Sequence, residues 1–292
     1  MFSIVKNYKI FFSITIIFLL VGIGSMLTRG FNLGIDFTGG SIIDITFNQT
    51  VSVSAVRDVL KEHKLGNSVI QLATSDSNAT EGKTVLIRTG VIGDEQRRET
   101  MDALQSKLGD YQIQRVEQVG ATVGQELVQQ AVLAIVLSWI LMIIYITWRF
   151  EFKFAIAAII ALIIDVMVVL SYFSLFYLEL DSSFVAALLT VVGYSINGTI
   201  VIFDRIRENL KGHRRNENLG DMVDRSIWQC MTRSFYTVLS SLFAIVAIFL
   251  FGGETIRNFS FAMLIGFSSG AYTSILLAGP LWKALKEHKH TA

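Results

Sequence analysis

Six apolar segments, each about long enough to cross a lipid bilayer, constrain the fold of this chain more than any other sequence feature. The hydrocarbon core of a bilayer takes roughly 20 apolar residues of helix, because each residue advances the helix by about 1.5 Å. The composition agrees, since 52% of the residues are hydrophobic and only 17% are charged. We therefore expect an α-helical polytopic membrane protein with six transmembrane helices, arranged as one plus five. The segments cover residues 10–27, 127–148, 154–176, 184–203, 235–251 and 259–285.

The first apolar segment allows two interpretations. It follows Lys6 and Lys9, and positive residues precede both signal peptides and membrane anchors. Gly22 and Gly24 form a poor cleavage site, and the segment is longer than the apolar core of most signal peptides. An uncleaved anchor is the preferred interpretation, with residues 1–29 forming a cytoplasmic N-terminus and the first transmembrane helix.

The polar stretch between the first and second apolar segments, residues 30–125, has the pattern of a small α+β domain. The segment order β-α-β-β-α-β is that of a ferredoxin-like domain, in which two helices cover one face of a four-stranded antiparallel sheet. The fold alone does not distinguish a passive platform from a substrate-gripping surface. The strands are predicted at 41–47, 68–73, 83–89 and 111–119, and the helices at 53–63 and 94–108.

Positive residues alternate between the loops. The loops after residues 148 and 203 and the C-terminal tail are rich in Lys and Arg, whereas the intervening loops have almost none. Because Lys and Arg concentrate in cytoplasmic loops, both termini are expected inside. Residues 126–286 then form a five-helix transmembrane bundle, 287–292 form a cytoplasmic tail, and the domain at 30–125 lies outside.

Several classes of function lack support in the sequence. No nucleotide-binding P-loop, His-Glu-x-x-His or Gly-x-Ser-x-Gly motif is present. The single cysteine, Cys230, and four histidines outside the apolar segments disfavour thiolate, haem and other metal sites. A net charge of +1 gives no sign of nucleic-acid binding. We expect no enzyme chemistry, cofactor or metal, and an ion gradient is the remaining energy source.

Four polar or irregular positions stand out within or next to the apolar segments. Asp165 lies midway along the third, where a charge costs about 2.5–3.5 kcal/mol, so it is either a transport or gating residue or a buried hydrogen-bond acceptor. Asn197 lies among small residues and requires a partner, although plain helix packing explains such a stripe equally well. Arg233, at the inner end of the fifth segment, either snorkels to the interface or turns toward a carboxylate. Pro280 is expected to kink the last helix.

The end of the fourth segment, Asp204-Arg205-Ile206-Arg207-Glu208-Asn209, is expected to be an interfacial helix end. Asp204 and Glu208, four residues apart, share a helical face and have the same sign. Ion pairing within this turn is therefore expected to be limited.

Three blocks of sequence together resemble the SecF family, the smaller subunits of the bacterial SecDF protein-translocation complex, in the resistance–nodulation–division superfamily. The resemblance covers nearly the whole chain. The first block includes Gly34, Asp36, Phe37, Gly39 and Gly40; the second includes Gly193, Tyr194, Ser195 and Asn197 and continues through Asp204, Arg205, Arg207, Glu208 and Asn209; the third is Leu250-Phe251-Gly252-Gly253.

The resemblance implies a subunit of the bacterial inner membrane that pairs with a SecD-like protein, associates with the SecYEG channel and assists secreted proteins. It also implies that proton or sodium re-entry drives the work. Asp165 and Arg233 match charged residues of the family. Two positions depart from the family pattern: Gly198 replaces an aspartate thought to carry the proton, and Ile164 replaces a frequent histidine.

Gly198 leaves three explanations open: a recent or engineered change, coupling that has moved to the partner subunit, or a subunit that keeps only a scaffolding role. The proton-coupling and ion-coupling candidates are therefore Asp165, Asn197, Gly198 and Arg233. Two alternative functions also remain, a small-molecule or lipid exporter of the same superfamily and a non-conducting structural subunit.

Overall fold

A computed structural model describes residues 3–72, 81–212, 217–253 and 256–287. The chain divides into a membrane unit, Met1–Asn32 with Ala131–Ala292, and a second unit, Leu33–Gln130. Ala73, the last residue of one predicted strand, lies outside the described residues, as does most of the predicted cytoplasmic tail.

Six helices in the described part of the chain are long and apolar enough to cross a membrane, which confirms the one-plus-five arrangement. The last of the six is not a uniform α-helix, because a π-helical segment separates its two halves. The helices are α1 (Tyr8–Arg29), α5 (Ala121–Arg149), α6 (Phe152–Leu175), α7 (Ser182–Lys211), α8 (Leu219–Phe251), and α9 (Arg257–Tyr272), which continues through the π-helix Thr273–Ala278 into α10 (Gly279–Glu287).

The fifth membrane helix is longer than the apolar segment that predicted it. It begins at Leu219, where the side chain of Asn218 caps the helix by accepting a hydrogen bond from the backbone N–H of Gly220 at 2.8 Å. Its first turns are amphipathic, with Met222, Ile227 and other apolar residues buried, so hydropathy alone missed them. Arg233, which precedes the apolar segment at 235–251, therefore lies in the interior of the longer helix α8.

Small residues bring the membrane helices close together. Gly22 of α1 faces Ser171 of α6 so closely that a Cβ at position 22 would lie 2.0 Å from the Ser171 Oγ. One turn along, the hydroxyls of Ser25 and Ser174 share a hydrogen bond of 2.9 Å. Glycine and hydroxyl residues of this kind hold membrane helices together, because lipid offers no hydrophobic driving force between them.

The second unit contains the predicted four-stranded antiparallel sheet, in the order β3-β4-β2-β5, with α3 and α4 contributing to one apolar core. Ile43, Ile45 and Phe47 of β2 alternate into this core, as a strand with one buried face requires. The β-α-β-β-α-β order is confirmed. Its elements are β2 (Gly40–Ser52), α3 (Val53–Glu62), β3 (Val69–Leu72), β4 (Glu81–Thr89), α4 (Asp94–Leu108) and β5 (Tyr111–Val119); the short elements elsewhere are β1 (Asn32–Leu33), α2 (Ile35–Thr38) and β6 (Glu179–Leu180).

Two glycines of α1 provide a matched test of this packing. Gly22→Ala should destabilise the protein by about 1–3 kcal/mol, because the new methyl group overlaps Ser171 and forces α1 away from α6. Gly24→Ala has no heavy atom within 4 Å of the new methyl group, and should leave stability unchanged or slightly raised through better helix propensity. Thermal unfolding in detergent gives the midpoint of each variant. Equal midpoints for the two variants would contradict the close contact between Gly22 and Ser171.

Candidate functional site

Asp165 is completely buried in α6, and three hydroxyl groups from two other membrane helices surround its carboxylate. Ser195 of α7 donates to Oδ2. Ser269 of α9 donates to Oδ1 at 2.6 Å, and Thr273 donates to the two oxygens at 3.0 and 2.9 Å. We call Asp165 and these three residues the Asp165 cage. The carboxylate is thus fully hydrogen-bonded, as a buried charge must be.

The sequence around the cage explains why three helices can meet at one carboxylate. Ser269 and Thr273 lie four residues apart, so their hydroxyls lie on the same face of the helix. Gly270 lies between them, and a Cβ there would be 3.0 Å from the Cβ of Ser195. The glycine therefore permits the close approach of α9 to α7 that brings all three hydroxyls to Asp165.

The π-helical segment places two neighbouring hydroxyls in two different polar environments. Thr273, its first residue, belongs to the Asp165 cage, whereas Ser274 lines a separate cavity. Pro280 follows the segment, and a proline has no N–H to donate to the carbonyl four residues earlier, which disfavours regular α-helix here. The irregularity expected at Pro280 is thus a π-helix in the preceding turns, a feature frequent at functional sites.

A cavity of about 60 Å³ between α7, α8 and the last membrane helix brings together three of the predicted coupling residues. It has room for a few water molecules. We call it the Arg233 cavity. Its lining residues are Tyr194, Asn197, Gly198, Val201, Arg233, Ser234, Thr237, Val238, Gly270, Ala271 and Ser274.

Gly198 lies in the wall of the Arg233 cavity, beside Ser274. A Cβ at this position would be 3.3 Å from the Ser274 Oγ and 3.5 Å from its Cβ. Both contacts are tight, but they are with the side chain of Ser274 and not with the backbone. A small acidic side chain here would lie against the Ser274 hydroxyl and face the same cavity as Arg233. The Cβ of such a side chain fits if the Ser274 side chain gives by a few tenths of an ångström.

Arg233 and Asp165 are not partners in this structure, because the three cage hydroxyls bind both carboxylate oxygens. Arg233 is exposed on α8 and makes no ion pair with any described residue. Asn197 is likewise exposed on α7, and within the described ranges it makes no hydrogen bond, so its expected partner is not in this part of the chain. Neighbouring Ser195 makes the contact between helices instead.

The expectation of limited ion pairing at the end of α7 was wrong. Arg207 pairs with Asp204 at 2.8 Å, and Arg205 pairs with Glu208 at the same distance. Both pairs have a spacing of three residues, which also places side chains on one helical face. Asn209 joins α7 to α8 by donating to the Ser226 Oγ at 2.8 Å.

The block at residues 34–40 has a backbone that only glycine allows at two positions. Gly39 and Gly40 have φ angles of 72° and 136°, which lie in the region that favours glycine. A Cβ on Gly40 would be 2.6 Å from the carbonyl oxygen of Thr89 in the neighbouring strand. The single helical turn α2 (Ile35–Thr38), which contains Asp36 and Phe37, precedes Gly39, and β2 begins at Gly40. In the second unit, this block shapes the start of the sheet.

Sequence reasoning missed three hydroxyl residues of the last membrane helix: Ser269, Thr273 and Ser274. Ser195 was named only as part of the second family block. The available signal was the pair Ser269 and Thr273, hydroxyl residues one helical turn apart in a largely apolar segment, which indicates a polar stripe on one face. The sequence does not show which neighbouring helix that face contacts.

Gly40→Ala should loosen the start of β2 by about 1–3 kcal/mol, because the methyl group overlaps the Thr89 carbonyl and the φ angle is unfavourable for alanine. Hydrogen exchange of the full chain should show faster exchange of β2 amides. Gly90→Ala, which meets nothing within 4 Å, is the control and should exchange like the parent chain. Unchanged β2 protection in Gly40→Ala would contradict this explanation.

Two protein-family models match the chain. One describes the C-terminal part of the protein export membrane proteins SecD/SecF and matches residues 99–288. The other describes the SecD/SecF GG motif and matches residues 24–51, which include Gly39 and Gly40.

Curated relatives and solved structures agree with these family models. A protein translocase subunit SecF from Acidaminococcus fermentans is 68% identical over 96% of each chain, and one from Sebaldella termitidis is 40% identical over 98% of this chain and 92% of its own. The crystal structure of SecDF, a translocon-associated membrane protein from Thermus thermophilus, is 33% identical with a TM-score of 0.88. That match covers 98% of this chain but 39% of the SecDF chain. The chain therefore belongs to the SecD/SecF family of protein-export membrane proteins, as a SecF-type protein translocase subunit.

Proposed function

We propose that this subunit couples the movement of an ion across the bacterial inner membrane to the export of secreted proteins, with Asp165 as the coupling carboxylate. In this proposal it works beside a SecD-like subunit and the SecYEG channel. The observation that carries the proposal is the complete burial of Asp165 between three membrane helices.

The charge of Asp165 makes its surroundings sensitive to ion binding. An ionised group within the membrane costs several kcal/mol unless it is paired or lies near water. The cage hydroxyls stabilise the carboxylate but carry no positive charge, and among the described residues no cation pairs with it. Binding a proton or a metal cation would neutralise Asp165 and change the interactions that hold α6, α7 and α9 together at this point.

A SecD-like partner is supported by the uneven burial of the membrane helices. Only 6% of the residues in the most apolar stretch of α5, and the same share in α8, are buried, against 56% in α6. The exposed surface includes Arg233 and Asn197, which lipid cannot hydrogen-bond. A partner helix that carries a carboxylate would cover this surface and pair with Arg233. Such a partner would also supply the acidic group that Gly198 cannot.

The placement of charges supports an orientation with both termini in the cytoplasm. The N-terminal segment contacts the start of α8, where Asp224 accepts hydrogen bonds from the Ser3 hydroxyl and from the Val5 N–H at 2.8 Å. Near the C-terminus, Lys286 pairs with Glu151 in the turn between α5 and α6. These segments therefore lie at one end of the membrane unit, and their Lys and Arg residues favour the cytoplasm. The ferredoxin-like domain, which follows α1, is then outside.

Two other functions were open from the sequence. A small-molecule or lipid exporter has no counterpart among the relatives named above. Gly198 is the one feature that favours a non-conducting structural subunit. The export activity of an Asp165 variant distinguishes such a subunit from a coupling subunit.

Asp165→Asn should reduce export at least about tenfold, because the amide keeps the shape of the carboxylate and cannot bind a coupling cation. The assay is precursor export into vesicles that contain the channel and both subunits, with an imposed ion gradient. Asp224→Asn, a buried carboxylate at the end of the membrane unit, is the control and should retain most export. Full export by Asp165→Asn would show that Asp165 is a buried hydrogen-bond acceptor and not the coupling carboxylate.

Gly198→Asp should increase gradient-dependent export, because the new carboxylate would face the Arg233 cavity beside Ser274. Gly193→Asp is the matched control: it adds the same charge to the same helix, at a position with nothing within 4 Å and outside the cavity lining. We expect the control to be neutral or harmful. Identical export by the parent and Gly198→Asp would show that coupling does not depend on this position.

A further inference from the structure

We propose that the Arg233 cavity binds a small monovalent anion, for which chloride is the probe. This site is separate from the Asp165 cage and does not depend on the coupling role proposed for Asp165. Three side chains that line the cavity would bind the ion, those of Arg233, Asn197 and Ser274. Gly198, in the same wall, has no side chain to fill the cavity.

The described residues that line the Arg233 cavity carry one positive charge and include no acidic side chain. Asp165 is enclosed by its own cage, and Asp204, the next acidic residue of α7, pairs with Arg207 at 2.8 Å. A charged group within the membrane costs several kcal/mol unless it is paired or lies near water. An anion in the cavity would offset this cost by neutralising Arg233.

The polar groups in the cavity wall are hydrogen-bond donors, as an anion requires. The guanidinium of Arg233 presents five N–H donors in a planar fork and has no acceptor, and the amide of Asn197 presents two N–H donors. The Ser274 hydroxyl donates to the Ala271 carbonyl at 3.2 Å, which is long for a bond between two oxygens. Rotation of this O–H bond would direct its hydrogen to an anion in the cavity.

The size of the cavity selects a small ion of single charge. Its volume of about 60 Å³ holds a few water molecules, and a chloride ion is only somewhat larger than one water. A monovalent anion makes the site neutral. A divalent anion such as sulfate is larger and would leave an uncompensated negative charge within the membrane. Chloride is therefore the better match in both volume and charge.

Gly198 is the residue that leaves the position of the anion open. A Cβ here would be 3.3 Å from the Ser274 Oγ, so a longer side chain would extend past this hydroxyl into the cavity. A carboxylate at residue 198 would occupy the cavity and repel an anion. With glycine, a dissolved anion can take that place and neutralise Arg233 from within the chain. Because the guanidinium has five donors, others remain for a carboxylate of a partner helix.

Chloride binding to the purified full-length chain tests the site directly. The thermal unfolding midpoint should rise as sodium chloride replaces sodium gluconate at constant ionic strength, because a ligand that binds the folded state stabilises it. Radioactive chloride should bind with one ion per chain. Arg233→Gln should weaken the chloride affinity about tenfold or more, since it removes charge-assisted hydrogen bonds. Ser274→Ala should weaken it about threefold, the effect of one neutral hydrogen bond.

Gly198→Asp should also lower the chloride affinity about tenfold or more, because its carboxylate takes the place of the anion. Two matched controls lie outside the cavity lining: Gly193→Asp adds the same charge to α7, and Arg257→Gln removes an arginine from α9. Both should bind chloride like the parent chain.

Two results would overturn the anion site. The first is the absence of bound chloride, together with equal unfolding midpoints in chloride and gluconate. The second is chloride binding of equal affinity in the parent chain, in Arg233→Gln and in Gly198→Asp, which would place the ion outside the Arg233 cavity. Neither result changes what is expected of Asp165→Asn in the export assay, so this site and the coupling role are tested separately.

Discussion

The membrane unit is organised around one buried charge. Asp165 lies at the centre of α6 with no solvent exposure, and the free energy of leaving a carboxylate there unpaired amounts to several kcal/mol. Three hydroxyls from α7 and the last membrane helix offset this cost, and they reach the carboxylate only because Gly270 allows close approach. The chain thus combines close helix packing with a polar centre whose charge state affects three helices at once.

Two polar centres lie on either side of the last membrane helix. The Asp165 cage is closed and fully hydrogen-bonded, whereas the Arg233 cavity has a cation without an acidic partner among the described residues. Thr273 and Ser274, consecutive residues of the π-helical segment, face one centre each. A change in the π-helix would therefore affect both centres. Because residue 198 is a glycine, Asp165 is the one acidic side chain among the described residues of these two centres.

The elements of this fold were largely predictable, since hydropathy marks membrane helices and period-two alternation marks the strands of a half-buried sheet. The start of α8 was not, because its first turns are amphipathic and residues such as Met222 are buried only through tertiary packing. Asp165 was identifiable as a costly charge within an apolar segment, and Arg233 as a charge next to one. Their partners were not, because the direction in which Ser269 or Thr273 points depends on how the helices rotate against one another, and a π-helical turn changes that rotation.

We propose that an ion bound at Asp165 moves across the membrane together with the exported protein. The most direct test measures cation uptake and precursor export in the same vesicles while the imposed gradient is varied. If Asp165 couples the two processes, uptake and export should rise together in a constant ratio, and both should be lost when this carboxylate is replaced by an amide. Export that continues at the parental rate without cation uptake would contradict the claim.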